Sequence, residues 1–319
     1  MISSLLLMQP LHAGVSHLLP KPQHIVESSG ASFRLGRKLC LDDPTGCAVL
    51  ADFLLSRGCK VVSCAPGGSF SGKATVTVEL VNRISGAYDY RLAGYPDEAY
   101  KLKITGDRIE IKAVTPVGVI RAAQTLVQLA EDEKNLAPVE ITDWPAFKLR
   151  GYLHDVGRSF ISVEELLREI DLLSRFKVNT FHFHMTENQA WRFEVKSHPE
   201  LTESMTRLPG LYYTQEQCSL IEEYAAARGM IVIPEIDMPG HSAAFERATG
   251  CDMQSPEGMA ILDNVLEEVA KVFPRAPYIH IGADEKRIYN DSFLPSVTDK
   301  VHSLGKLVVC YNPIYGLNI

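Results

Sequence analysis

Apolar and polar residues alternate along KATVTVEL, Lys73–Leu80, so every second side chain shares a face. That period predicts a half-buried strand. It returns in AYKLKITGDRIEIKAV, Ala99–Val114, and breaks at Gly106-Asp107, which reads as the turn of a hairpin. The spacing then lengthens. TPVGVIRAAQTLVQLAED, Thr115–Asp132, places apolar residues at helical intervals, with Thr115 as N-cap and Pro116 at the first helical position. NLAPVEITDWPAF, Asn135–Phe147, bears proline and no period, and reads as a connection between domains.

From Lys148 short apolar segments alternate with helical patterns. LRGYLHDV, VNTFHFHM, MIVIPEI, YIHIG and KLVVCY read as strands. SVEELLREIDLLSRF, TQEQCSLIEEYAAARG, PEGMAILDNVLEEVAKVF and SVTDKVHSLG read as the helices between them. Ser162 and Glu165 form a capping box for the first of these helices. Five strands separated by helices predict a parallel α/β sheet. The division expected is an N-terminal arm or signal-peptide remnant at 1–19, a small α+β domain at 20–145, and a β/α domain at 146–319. A β/α barrel has eight strands and about 250 residues. Here there is room for roughly five units, so either the barrel is incomplete in this chain or the sheet is open.

Composition narrows the function classes. The chain has 319 residues, 46% hydrophobic and 22% charged, enough for two domains with a large core. Its net charge of −7, with no basic block, gives nucleic-acid binding little support. No apolar run is long enough for a membrane span. Seven cysteines, Cys40, Cys47, Cys59, Cys64, Cys218, Cys251 and Cys310, are scattered without a C-x-x-C pair. A structural zinc site is not expected, and no disulfide framework is inferred. The N-terminal patch Leu5–Met8 lacks a basic n-region, so it reads as the tail of a signal peptide or as a frayed arm.

Polar residues of unusual type fall just after the strand ends. In HIGADEKR, Asp284 and Glu285 are adjacent acids. Like charges raise the pKa of one member, giving one proton donor and one anion, as glycosidic cleavage needs. The plainer reading is that they cap the helix that follows. His182 and His184 share a strand face and could bind a metal, or pack as neutral core histidines. Trp191 offers either an apolar platform for a sugar ring or a core side chain. Glu235, Asp237 and His241 surround a Pro-Gly turn, where a histidine can tune an acid or the turn can simply bond locally. Arg158 can grip hydroxyls or form an ion pair with Asp155.

Taken in order, four segments resemble glycoside hydrolase family 20, the β-N-acetylhexosaminidases. They are Asp155–Arg158 (D-V-x-R), His182–Arg192 (H-x-H-x-x-[DE]-[DN]-Q-x-W-R), Pro234–His241 (P-E-x-D-x-P-G-H) and His280–Glu285 (H-x-G-x-D-E). The resemblance implies an α/β fold: a (β/α)8 TIM-type barrel, incomplete at the C-terminus, preceded by a small α+β domain. It implies hydrolysis of terminal N-acetyl-β-hexosamine from an oligosaccharide or glycoconjugate, in a periplasmic or secreted protein, with no cofactor and no metal. Glu285 would be the general acid/base, and Asp284 would hold the acetamido nitrogen of the substrate. Arg158 would bind ring hydroxyls, and His241 with Glu187 would tune Glu285. The family is substrate-assisted, so no protein nucleophile is sought. Glu187 and Asn188 depart from the two aspartates common there. The later segments, which supply a tyrosine, an acid and tryptophan walls, have no match, and Tyr311 and Tyr315 are not carried into those roles. A truncated copy is therefore expected, and its alternatives are a non-catalytic carbohydrate-binding fragment or a metal-dependent barrel hydrolase.

Overall fold

The computed structural model describes residues 15–63, 74–85, 96–130, 134–203 and 210–311. Leu5–Met8, Cys64 and Tyr315 lie outside these residues. The chain divides into two compact units. One holds the residues up to Lys148 with Arg175–Lys177, and the other holds Leu149–Ser174 and Val178 onward.

The strands of the first unit are β1 (His24–Glu27), β2 (Phe33–Arg34), β3 (Lys38–Asp42), β4 (Lys60–Ser63), β5 (Ala74–Leu80), β6 (Tyr100–Ile104), β7 (Arg108–Ala113), β8 (Asn135–Leu136) and β9 (Val139–Asp143). Its helices are α1 (Ala48–Ser56) and α2 (Pro116–Leu129). Seven strands make one mixed sheet in the order β1-β9-β6-β7-β5-β3-β4. The alternation in β5 buries Ala74, Val76 and Val78 on one face. β6 and β7 form the expected antiparallel hairpin. Gly118 N donates to Thr115 Oγ1 at 3.4 Å, capping α2 as its sequence foretells.

The segment Asn135–Phe147 is not a mere connection. It contains β8 and β9, and β9 pairs antiparallel with both β1 and β6. Pro138 and Pro145 bracket β9 instead of interrupting it, so its backbone donors stay available to the ladder. Its five residues are too few for their alternation to stand out between two prolines.

The second unit runs β10 (Gly151–Asp155), α3 (Val163–Arg175), β11 (Thr180–His184), α4 (Glu200–Glu203), α5 (Gln215–Ala226), β12 (Ile231–Met238), α6 (Ala243–Thr249), α7 (Pro256–Val272), β13 (Tyr278–Gly282), α8 (Phe293–Ser303) and β14 (Leu307–Val309). The five strands pair in sequence order, and every pair is parallel. Phe181, Phe183, Ile236 and Ile279 from the strands are fully buried with Leu166, Ile221 and Leu266 from the helices. Helix starts follow local chemistry. Ser162 and Glu165 exchange hydrogen bonds before α3, and Thr214 and Gln217 complete a capping box on α5. Among the described residues no helix is long and apolar enough to cross a membrane.

Candidate active site

Strand register builds the floor of the site. Asp155 is aligned with His184, His184 with Glu235, and Glu235 with His280. Neighbours in register on parallel strands point to the same side. One polar row therefore crosses four strands near their C-terminal ends. Glu235 is fully buried within it. His182 Nε2 and His184 Nδ1 each lie 2.7 Å from Glu235 Oε2, and His280 Nδ1 lies 3.0 Å from Oε1. The Tyr311 hydroxyl donates to Oε2 at 3.2 Å. Burial alone would raise the Glu235 pKa, but the three imidazoles outweigh it and hold the carboxyl far below the usual range. Burial opposes the protonation of His184, and the pairing with Glu235 overcomes that and raises its pKa.

Register shifts after Glu235, where β12 carries one residue more than β13 before Met238 pairs with Gly282. Such bulges re-aim side chains beside functional sites. Here the shift surrounds Asp237, which is 1% exposed. Its backbone N–H donates to Thr186 Oγ1 at 2.9 Å. Burial first, and the charge of Glu235 second, push its carboxyl up to about 7. A Cβ on Gly282 would lie 1.8 Å from Asp237 Oδ1, and Gly282 has φ +69°. Glycine is required there twice over, for the space and for the backbone.

The loops beyond the strand ends carry the five residues named from the sequence. The two terminal nitrogens of Arg158 contact Asp155 and Glu187. Burial pulls the Arg158 pKa down, but the Asp155 bond and the charges of Asp155, Glu187 and Glu285 raise it overall. Glu187 is buried, and its Oε1 lies 2.7 Å from His241 Nδ1. His241 Nε2 lies 2.9 Å from Glu285 Oε2. Arg158, Glu187, His241 and Glu285 thus form one continuous chain of contacts. Asp284 stands in the same turn as Glu285, partly exposed, with its carbonyl accepting from Lys286 N at 2.6 Å.

The capping alternative for Asp284-Glu285 fails, because the next helix starts only at Phe293. Instead the backbone is bent sharply. His241, Ala283 and Glu285 have φ of +47°, +69° and +58°, three of the four non-glycine residues with positive φ among those described. Each such conformation costs about 1–3 kcal/mol and persists only where its surroundings over-determine it. Trp191 is no platform. It is 1% exposed, and its Nε1 donates to the Phe193 carbonyl at 2.8 Å.

A cavity of about 310 Å³ adjoins Glu285, lined also by Asn188, His241, Ser242, Glu246 and Lys286. Lys286 Nζ is held there by Ser242 Oγ at 3.1 Å and Glu246 Oε1 at 2.8 Å. Three sets of side chains converge closely enough for a cation: His182–Glu235–His280, Asp155–His184–Glu187 and His184–Glu235–Asp237. Glu235, common to two sets, and Glu187, in the third, are already engaged by imidazole or guanidinium nitrogens. We assign none of these residues as metal ligands.

Sequence reasoning overlooked His280 as a partner of Glu235, the need for glycine at 282, and the contact of Tyr311 with Glu235. A signal existed. H-x-H, E-x-D and H-x-G sit at matching places on three consecutive strands, which period-two faces would have aligned.

A parallel β/α sheet with titratable groups on the loops after its strands is the site pattern of the β/α-barrel enzymes. Comparison with known proteins narrows that class. The model of the glycosyl hydrolase family 20 catalytic domain matches residues 147–254, and that of domain 2 of the same family matches residues 15–144. The chain belongs to glycosyl hydrolase family 20. A beta-hexosaminidase from Vibrio furnissii is 34% identical over 322 residues, covering 86% of this chain and 49% of the relative. One from Porphyromonas gingivalis is 39% identical over 228 residues, covering 59% of this chain and 29% of the relative. The chain therefore spans less than half the length of either. A crystal structure of a β-N-acetylhexosaminidase from Bacteroides fragilis aligns with a TM-score of 0.76 at 27% identity, covering 92% of this chain and 65% of that one. An exo β-N-acetylglucosaminidase from Vibrio harveyi, in complex with N-acetylglucosamine, aligns with a TM-score of 0.73 at 29% identity, covering 92% and 54%.

Proposed function

We propose that this chain carries the acid–base side of an N-acetyl-β-hexosaminidase site that cleaves terminal N-acetylhexosamine from oligosaccharides or glycoconjugates with retention. The five parallel strands are read as part of a (β/α)8 barrel. The observation that carries the reading is His241, which touches Glu187 with one nitrogen and Glu285 with the other.

Hydrogen-bond inventory assigns the parts. An ionised Glu187 only accepts, so His241 Nδ1 carries the hydrogen toward it. Nε2 then presents a lone pair to a protonated Glu285. Glu285 gives its proton to the glycosidic oxygen as the bond to the anomeric carbon breaks. The acetamido oxygen of the substrate attacks that carbon and forms an oxazolinium ion. Asp284 accepts from the acetamido N–H and balances the growing positive charge. Water then attacks the anomeric carbon, with Glu285 taking its proton back as base. Arg158, half exposed beside Glu187, is read as the group that binds ring hydroxyls. A periplasmic or secreted location is proposed with this activity. The disulfide-bonded state of Cys40 supports an oxidising compartment.

The test is release of nitrophenol from an aryl N-acetyl-β-glucosaminide, abolished by Glu285→Gln.

A further inference from the structure

We infer that Asp237 holds a proton in the resting site, so that the Asp237–Asp284 pair carries a single negative charge and Asp284 is the anionic member. The inference rests on the activity proposed above and deepens it. Asp237 is a positioning residue in this account, acting through Asp284.

The geometry leaves Asp237 little choice. It is 1% exposed, and its Oδ1 has no hydrogen-bond partner among the described residues. A buried carboxylate oxygen without a donor is strongly disfavoured, whereas a neutral carboxyl is tolerated. The groups facing it come from every neighbouring element. β11 brings His184, β12 brings Glu235, the loop after β12 brings His241, the loop after β13 brings Asp284, and the segment after β14 brings Tyr311. His184 is already committed to Glu235 at 2.7 Å, and His241 to Glu187 and Glu285. Both imidazoles that act on Asp237 among the described residues are thus already paired with other carboxylates. A point at the Cβ position of Gly240 would lie 3.0 Å from the Asp284 carbonyl oxygen and 3.9 Å from Asp237 Oδ1, so the two segments are neighbours. Two carboxyls in unequal surroundings divide one proton unequally. Asp284 is partly solvated and Asp237 is sealed, so the proton belongs to Asp237. The direction of its pKa agrees.

The consequence is a requirement on pH. Ionising Asp237 would bury a second negative charge behind Asp284. The two like charges would repel, and Asp284 would be pushed from the position in which it meets the acetamido N–H.

Infrared spectroscopy and kinetics test this separately. Wild-type protein should show a buried protonated carboxyl band at pH 6 that vanishes by pH 9. The band should persist in Glu222→Gln, which removes another buried acid whose pKa burial raises, and in Glu285→Gln, which removes the proposed proton donor, and be missing in Asp237→Asn. The kcat/KM of the wild type should fall as pH rises past neutrality. In Asp237→Asn, whose amide cannot ionise, that limb should move up by at least one pH unit. Asp237→Ala should lower kcat on the order of 10²-fold with little change in KM. A folded wild type without the band at pH 6 overturns the inference, as does a band that a folded Asp237→Asn leaves in place. If the protein turns over no aryl glycoside, the proposed activity fails while the infrared band still decides the protonation of Asp237. If Asp237→Asn does not fold, the wild-type, Glu222→Gln and Glu285→Gln spectra decide together.

Discussion

His241 Nδ1 lies 2.7 Å from Glu187 Oε1, and this contact turns the imidazole so that its other nitrogen meets Glu285. A buried acid thereby holds the orientation of a histidine at the surface of the site. Glu187 is 1% exposed and Glu285 is 60% exposed, so the chain of contacts runs from the protein interior to the solvent-facing group.

Replacing His241 by phenylalanine keeps a ring but removes both contacts. We expect kcat to fall on the order of 10²-fold, with KM changed little and the pH profile altered. Glu187→Gln should alter the same profile in the same direction, because an amide no longer dictates the tautomer. Steady-state kinetics across pH 4–9 checks both.

Glu235 carries a buried charge that three histidines contact. Glu235→Ala leaves those imidazoles without their acid, and we expect a loss of roughly 3–5 kcal/mol. Urea unfolding at pH 7 measures it. Glu235→Gln should lose less, because its amide still occupies the space.

Gly282 admits no side chain. In Gly282→Ala the new methyl would overlap Asp237 Oδ1, at 1.8 Å, on a backbone of φ +69°. We expect a loss of roughly 2–4 kcal/mol from the strained backbone and the displaced carboxyl together. A fall in thermal midpoint with loss of turnover would show it.

Asp237 also makes a stability prediction with a definite sign. Its carboxyl titrates near about 7 in the folded protein, against about 3.9 in an unfolded chain. Below pH 4 both states hold the proton and nothing is lost. Between the two values the unfolded state releases it first, so stability falls as pH rises and the loss is complete above neutrality. Asp237→Asn should remove this decline, so its stability relative to wild type should increase steadily from pH 4 to pH 8 in urea titrations.

Much of the second unit could be read from the chain because local rules agreed there. Short apolar strands alternate with capped helices, and Ser162, Thr214 and the periodic faces of α3, α5 and α7 mark their own limits. β9 escaped because two prolines hid a strand that they merely bracket. Trp191 was ambiguous because a tryptophan serves a core or a sugar equally well, and only its burial separates the two. The motifs named Arg158, Glu187, His241 and Glu285, but not the distances between them, which depend on four different loops. The state of Glu235 was not legible either. It is set by histidines from β11 and β13, and no spacing along one strand describes that.

The row Asp155–His184–Glu235–His280 has a bearing on how the chain assembles. Side chains alternate in a strand, so sliding β11, β12 or β13 by one residue would turn its member of the row to the opposite face. Each such slip would strand a carboxylate or an imidazole among apolar neighbours. Apolar strands such as these offer many near-equivalent alignments. The polar row makes one alignment far better than its neighbours, and so acts as a ruler against which consecutive strands are counted into place.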